Sequence, residues 1–181
     1  MKRSISFQEK YQYTDYQMKL LQWIWFTFIS EFSKAVILSF YFLYCKQLNL
    51  FFWSVLLFWV LRYNSGGLHF KTYLGCLGFT GIYMIAAIQW FPMLRLSKNM
   101  CVILLLFCIC ILHKIGPIPS KYRPLPENIL SCYKVNLLQI LLLYDVLMFL
   151  LPENKYLQIG FWIVVVHTLQ MGIAYKKKGV R

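Results

Sequence analysis

The chain has 181 residues, of which 60% are hydrophobic and 19% aromatic, and a formal net charge of +13. Ordinary soluble domains are about 45–50% apolar, so this composition excludes a free-standing soluble fold and puts the chain in a membrane. The charge does not point to a nucleic-acid partner, because the Lys and Arg residues fall between apolar runs and at the two ends, with no aromatic-basic stripe or binding module among them.

The first residues, MKRSISFQEKYQYTDYQ, have neither the early apolar core nor the small-residue cleavage site of a signal peptide. They mix Lys and Arg with Ile5, Phe7, Tyr11, Tyr13 and Tyr16. That pattern suits an amphipathic segment lying on the anionic inner leaflet, and equally a solvated positive tail. Six apolar runs follow: Leu20–Cys45, Leu48–Leu61, Thr72–Leu94, Met100–Leu112, Val135–Leu151 and Leu157–Tyr175. A helix needs about 20 residues to cross about 30 Å of hydrocarbon, so the second and fourth runs are short and are expected to be re-entrant or to sit in a locally thinned bilayer. The expectation is an all-α polytopic membrane bundle of about six hydrophobic helices, one domain over residues 1–181, with membrane lipids around it. No internal repeat interrupts the sequence, and pairing of two copies stays open.

If all six runs cross, fourteen Lys and Arg residues fall on the side of both termini and only Lys46, Arg95, Lys98 and Lys155 on the other, with Lys34 left inside the first run. Positive residues collect on the cytoplasmic side. Both termini, the Arg62–Cys76 segment and IGPIPSKYRPLPENI are therefore expected in the cytoplasm. The last of these has four prolines between Pro117 and Pro126 and cannot form a regular helix. Of the six cysteines, Cys101, Cys108 and Cys110 share one apolar run and Cys45 ends another. No CxxC pair or His/Cys ladder is present, so neither a disulfide framework, a metal nor a cofactor is expected.

The segment RYNSGGLHFKTYLGC, Arg62 to Cys76, interrupts this pattern with two glycines, a histidine and a cysteine. A cysteine acts as a nucleophile through its thiolate, which a base, a helix N-terminus or nearby cations favour. Thr72 is a plausible N-cap that puts Cys76 in about the first turn of the third helix, with His69 and Lys71 just before it. Seven residues of continuous helix climb about 10.5 Å, too far for an imidazole–thiol contact. His69 must therefore lie in the loop and fold back over the helix start, a fold that Gly66 and Gly67 permit. Taken alone, these residues also read as a buried free cysteine and an interfacial histidine.

Arg62, Gly66, Gly67 and His69, followed by Cys76 seven residues later in a small basic polytopic chain, resemble the AgrB family of accessory gene regulator processing enzymes. The downstream PIPSKYRPLP resembles the proline-rich basic loop of that family, with Arg123 where Lys is usual and Tyr122 where Asn is common. The resemblance implies a membrane cysteine endopeptidase with no cofactor, whose partner is an AgrD-like propeptide. His69 takes the proton of Cys76, the thiolate cleaves off the C-terminal part of the propeptide, and the acyl group held as a thioester is closed into a thiolactone or lactone signalling peptide. Arg62, Lys121 and Arg123 become candidates for substrate binding or loop support. The rival class is a small membrane transporter or interaction protein that handles a peptide without cleaving it; paired broken helices in two equivalent halves, its usual mark, are missing.

Among the remaining polar residues, Gln139 and Asn136 lie near the expected surface and could supply a third catalytic or oxyanion group, or simply an interhelical hydrogen bond. Asp145 lies about 15 Å deeper, too far to orient His69. Glu31 and Lys34, three apart, are expected to pair with each other. His167 reads as a packed or hydrogen-bonded core residue, and His113 as interfacial.

Overall fold

The computed structural model describes residues 15–68, 72–118 and 127–179. Helices dominate: α1 Asp15–Tyr44, α2 Leu48–Ser65, α3 Tyr73–Ile85, α4 Lys98–Ile115, α5 Glu127–Leu150 and α6 Lys155–Gly179. The protein is an all-α, multi-pass membrane protein. Five stretches are long and apolar enough to cross a bilayer: Ile24–Tyr44, Tyr73–Met93, Lys98–Ile115, Ile129–Leu150 and Lys155–Lys177. The fourth apolar run, short in the sequence, thus gains two residues at its start and three at its end and reaches 18 residues, about 27 Å. The second run also makes an 18-residue helix, but its last turn is the polar Arg62-Tyr63-Asn64-Ser65, and it is not among the five. The amphipathic N-terminal segment expected before Asp15 lies outside the described residues.

Chain punctuation fixes the directions. After α1 the chain reverses at once: Lys46 takes a left-handed φ of 55°, Gln47 N donates to Phe42 O at 2.9 Å, and Phe42 stacks on Phe51 with ring centroids 4.7 Å apart. Such a short connection makes α1 and α2 antiparallel neighbours. Beyond Ile85 the third helix widens into a π segment, Ala86–Trp90, and then tightens into Phe91–Met93, where Pro92 can donate no backbone hydrogen bond. Gly116, at φ 68°, closes α4 by donating to Leu112 O at 2.9 Å, and Pro117 prevents further helix.

The core forms around α6. Phe161, Ile163, Val164, His167, Gln170 and Met171 are all buried. Gly160 admits a neighbouring helix: a Cβ there would stand 2.2 Å from the Tyr144 hydroxyl, which donates to Leu157 O at 2.6 Å. From α3, Tyr83 donates to Ile163 O at 2.7 Å. The outward faces are apolar too, with Trp25, Phe26, Phe32 and Phe40 of α1 more than half exposed, as suits helices whose outer solvent is lipid.

Contacts between α1 and α3 run in step along both chains. Ser33 meets Tyr73 at 2.8 Å, Lys34 meets Cys76 at 3.2 Å, and Tyr41 meets Gln89 at 3.3 Å. The two helices therefore run in the same direction, with α2 returning between them. This arrangement brings the middle of α1 to the start of α3, and with it a lysine to Cys76.

Candidate thiol site at the start of the third helix

Thr72 has an extended backbone and its hydroxyl accepts from Gly75 N at 3.2 Å. The helix is therefore capped where the sequence predicts. Cys76 N donates to Thr72 O at 3.2 Å, which places the thiol in the first turn, half-buried. Its sulfur accepts a hydrogen bond from Lys34 Nζ at 3.2 Å. The same ammonium pairs with Glu31 one turn earlier. The expected Glu31–Lys34 pair is present, and Lys34, only 2% exposed, has a second partner that the helix periodicity of α1 could not reveal. A lysine inside an apolar span was the signal available for it.

The loop before α3 has its own support. Gly66 has φ 79° and Gly67 φ 156°, values that L side chains rarely adopt. A Cβ on Gly66 would sit 2.5 Å from Ile118 O, and one on Gly67 2.9 Å from Gln170 Nε2. The close approach at Gly66 is a two-residue bridge between the loop and the segment leaving α4, with Ile118 N donating to Ser65 O at 2.9 Å. Arg62 lies with its guanidinium 5.6 Å from the Phe58 ring centroid and donates to Leu68 O at 3.3 Å.

Beneath this loop lies a buried polar set. Ser65 Oγ lies 2.8 Å from Leu61 O, a carbonyl it can donate to, and hydrogen-bonds His167 Nε2 at 2.7 Å. His167 Nδ1 is buried without a hydrogen-bond partner among the described residues. The Gln170 amide beside Gly67 is likewise buried, with no hydrogen-bond partner on either atom among the described residues. His167 is thus the hydrogen-bonded core histidine that the sequence suggests.

His69, Lys121 and Arg123 lie outside the described residues. Gln139 is exposed on α5, and Asn136 donates to Cys132 Sγ at 3.9 Å on the same helix; among the described residues neither hydrogen-bonds Cys76. Asp145 is buried, and His113 is exposed near the end of α4. Two clefts open at the other end of the bundle, around the α1–α2 and α5–α6 turns, and neither is lined by Cys76.

Fold and site together define a polytopic helical membrane protein with a lysine-contacted thiol beside a braced glycine loop at one end. The chain matches the family described as Accessory gene regulator B over residues 3–171. It belongs to that family. It is also similar to a protein of Clostridium beijerinckii named only as AgrB-like, with 28% identity over 127 residues, 68% of this chain and 62% of that protein. The chain spans about three-fifths of the length of this curated relative. No solved structure matches it.

Proposed function

We propose that the chain is a membrane cysteine endopeptidase that removes the C-terminal part of an AgrD-like propeptide and cyclises what remains. The observation that supports this most is the setting of Cys76: first turn of a capped helix, sulfur on a buried ammonium, next to a glycine loop braced by Arg62. In this reading His69 accepts the thiol proton and the sulfur attacks the scissile carbonyl, forming a C–S bond. Collapse of the tetrahedral adduct breaks the C–N bond, and the leaving amine takes the proton from His69. The propeptide is then a thioester on Cys76. A thiol or hydroxyl within the substrate attacks that carbonyl, loses its proton to His69, and expels the Cys76 thiolate as the ring closes. No metal or cofactor enters these steps. The positive charge near this end supports a cytoplasmic catalytic loop.

The experiment reconstitutes the protein in liposomes with the propeptide and follows the products by mass spectrometry. The wild type gives a released C-terminal fragment, a transient adduct on Cys76 and a cyclic product. Cys76→Ser and His69→Ala each stop cleavage while still inserting. Cleavage by Cys76→Ser at the wild-type rate would sink the mechanism, and movement of intact peptide without a new fragment would favour a transporter.

A further inference from the structure

We propose that Lys34 is a catalytic residue: its ammonium holds the negative charge of the Cys76 sulfur whenever that sulfur is not acylated. This rests on the proposed thioester chemistry at Cys76.

The orientation of the pair is the first argument. A lysine in a membrane helix ordinarily extends its long stem toward water and leaves its head group wet. Lys34 does the reverse. It is 2% exposed on its side chain while its partner Glu31 is 31% exposed, so the cation is the buried member and the carboxylate the outer one. Burying an ammonium is costly unless good partners replace water. Glu31 supplies one, and the geometry gives the other position to Cys76 Sγ, 3.2 Å from Nζ. A neutral thiol is a weak acceptor and a poor return for that burial; a thiolate is an ionic one.

The second argument is where the charge travels. Before attack the sulfur is anionic, and Lys34 stabilises it. On forming the C–S bond the sulfur becomes neutral, and the negative charge passes to the carbonyl oxygen and then leaves with the amine, protonated by His69. When the substrate nucleophile closes the ring, the C–S bond breaks and its electron pair returns to sulfur beside the same ammonium. Lys34 thus serves both the nucleophile of the first step and the leaving group of the second. Glu31 pairs with the same ammonium and offsets part of its charge, so it competes with the sulfur for it.

Among the described residues, the charged group in contact with this sulfur is Lys34, which Glu31 pairs with in turn, while Tyr73, three residues before Cys76 on α3, has its hydroxyl on Ser33. His69 and Lys71 precede it in sequence, outside the described residues. The opposite charges of Lys34 and Glu31 give the test its sign. The rate at which iodoacetamide alkylates Cys76 is measured by peptide mass spectrometry in lipid nanodiscs from acid to alkaline pH, beside propeptide cleavage. Lys34→Met is expected to slow alkylation about tenfold at neutral pH, the size of one lost charge-assisted hydrogen bond, with the profile displaced to higher pH and the full rate regained in alkali. Lys34→Arg keeps most of the rate. Glu31→Gln leaves it unchanged or faster. Lys34→Met and Glu31→Gln falling together, with an unmoved pH profile, would show a merely structural ion pair and overturn the proposal. Should Lys34→Met fail to fold, the double variant Glu31→Gln/Lys34→Met has no lone charge and carries the test: slow alkylation supports the role, and the wild-type rate overturns it. If the wild type cleaves no propeptide while Lys34→Met still slows alkylation, the proposed function fails and the hold of Lys34 on the sulfur stands. If the wild type cleaves and Lys34→Met alkylates and cleaves alike, the inference fails alone.

Discussion

Replacing Gly66 by alanine isolates the loop from the rest of the bundle. Gly66 has φ 79° and ψ −143°, a region nearly confined to glycine, and holding another residue there costs about 1–3 kcal/mol. The new Cβ would also lie 2.5 Å from Ile118 O, a backbone atom that cannot swing aside as a side chain can. The bridging hydrogen bond from Ile118 N to Ser65 O then stretches or breaks, at about 1 kcal/mol more. The strain alone, about 1–3 kcal/mol, is of the size that this bond and the Arg62–Leu68 bond together supply, about 2 kcal/mol. The loop therefore opens while the helices, whose core lies around α6, stay folded. Propeptide cleavage in liposomes is expected to fall at least about tenfold, with thermal unfolding followed by tryptophan fluorescence little changed. Gly67→Ala is milder, because the Gln170 amide in its way is the end of a flexible side chain, and Gln170→Ala recovers part of the loss. Gly78→Ala, two residues past Cys76 in open helix with nothing within 4 Å, gains about 0.8–1 kcal/mol of helix propensity and keeps full activity. A Gly66→Ala protein as active as wild type, or a Gly78→Ala protein as impaired as Gly66→Ala, would refute the loop argument.

Other expectations follow from single contacts. Gly160→Ala destabilises the bundle by about 1–3 kcal/mol, and Tyr144→Phe in the same chain restores part of it by removing the hydroxyl that the new methyl meets; a double-mutant cycle with no coupling would contradict this packing. In a chain otherwise free of reactive cysteines, Lys177→Cys is shielded from an impermeant thiol reagent in intact cells while Arg95→Cys reacts; labelling of Lys177→Cys from outside would invert the orientation. Replacing Cys45, Cys110 or Cys132, which are half-buried or exposed free thiols, leaves cleavage near wild type, and loss of activity from any of them would require a second working thiol.

What the sequence could disclose was whatever repeats along one helix or is forced by one residue. The apolar runs located six helices, Thr72 marked the start of α3, the doubled glycine marked a turn, and the three-residue spacing of Glu31 and Lys34 disclosed their pair. Boundaries were poorer where polar residues continue a helix past its apolar part: α5 starts at Glu127, eight residues before its apolar run at Val135. Contacts across helices were not legible. Cys76 lies 42 residues beyond Lys34 and Ser65 lies 102 before His167, and no periodicity within one segment encodes such pairs. Gln139 and Asn136 show the converse. Nearness to the expected surface made them candidates, but the rotation of α5 leaves Gln139 exposed and turns Asn136 to Cys132 on its own helix.

The question of why an apolar bundle breaks its helices beside a thiol has an answer in backbone hydrogen bonding. Non-helical backbone near the hydrocarbon is tolerated where protein satisfies it. Here two breaks satisfy each other: the end of α2 at Ser65–Gly66 and the exit from α4 at Gly116–Ile118 meet in a bridge, and Arg62 reaches the Leu68 carbonyl on the far side of the glycines. The exposed peptide groups of each break become partners of the other. One consequence is geometric. The segment leading into the proline-rich basic stretch is tied to the residues leading into Cys76, although about 50 residues separate them along a chain that must cross and return between them. A change at either break is therefore felt at both.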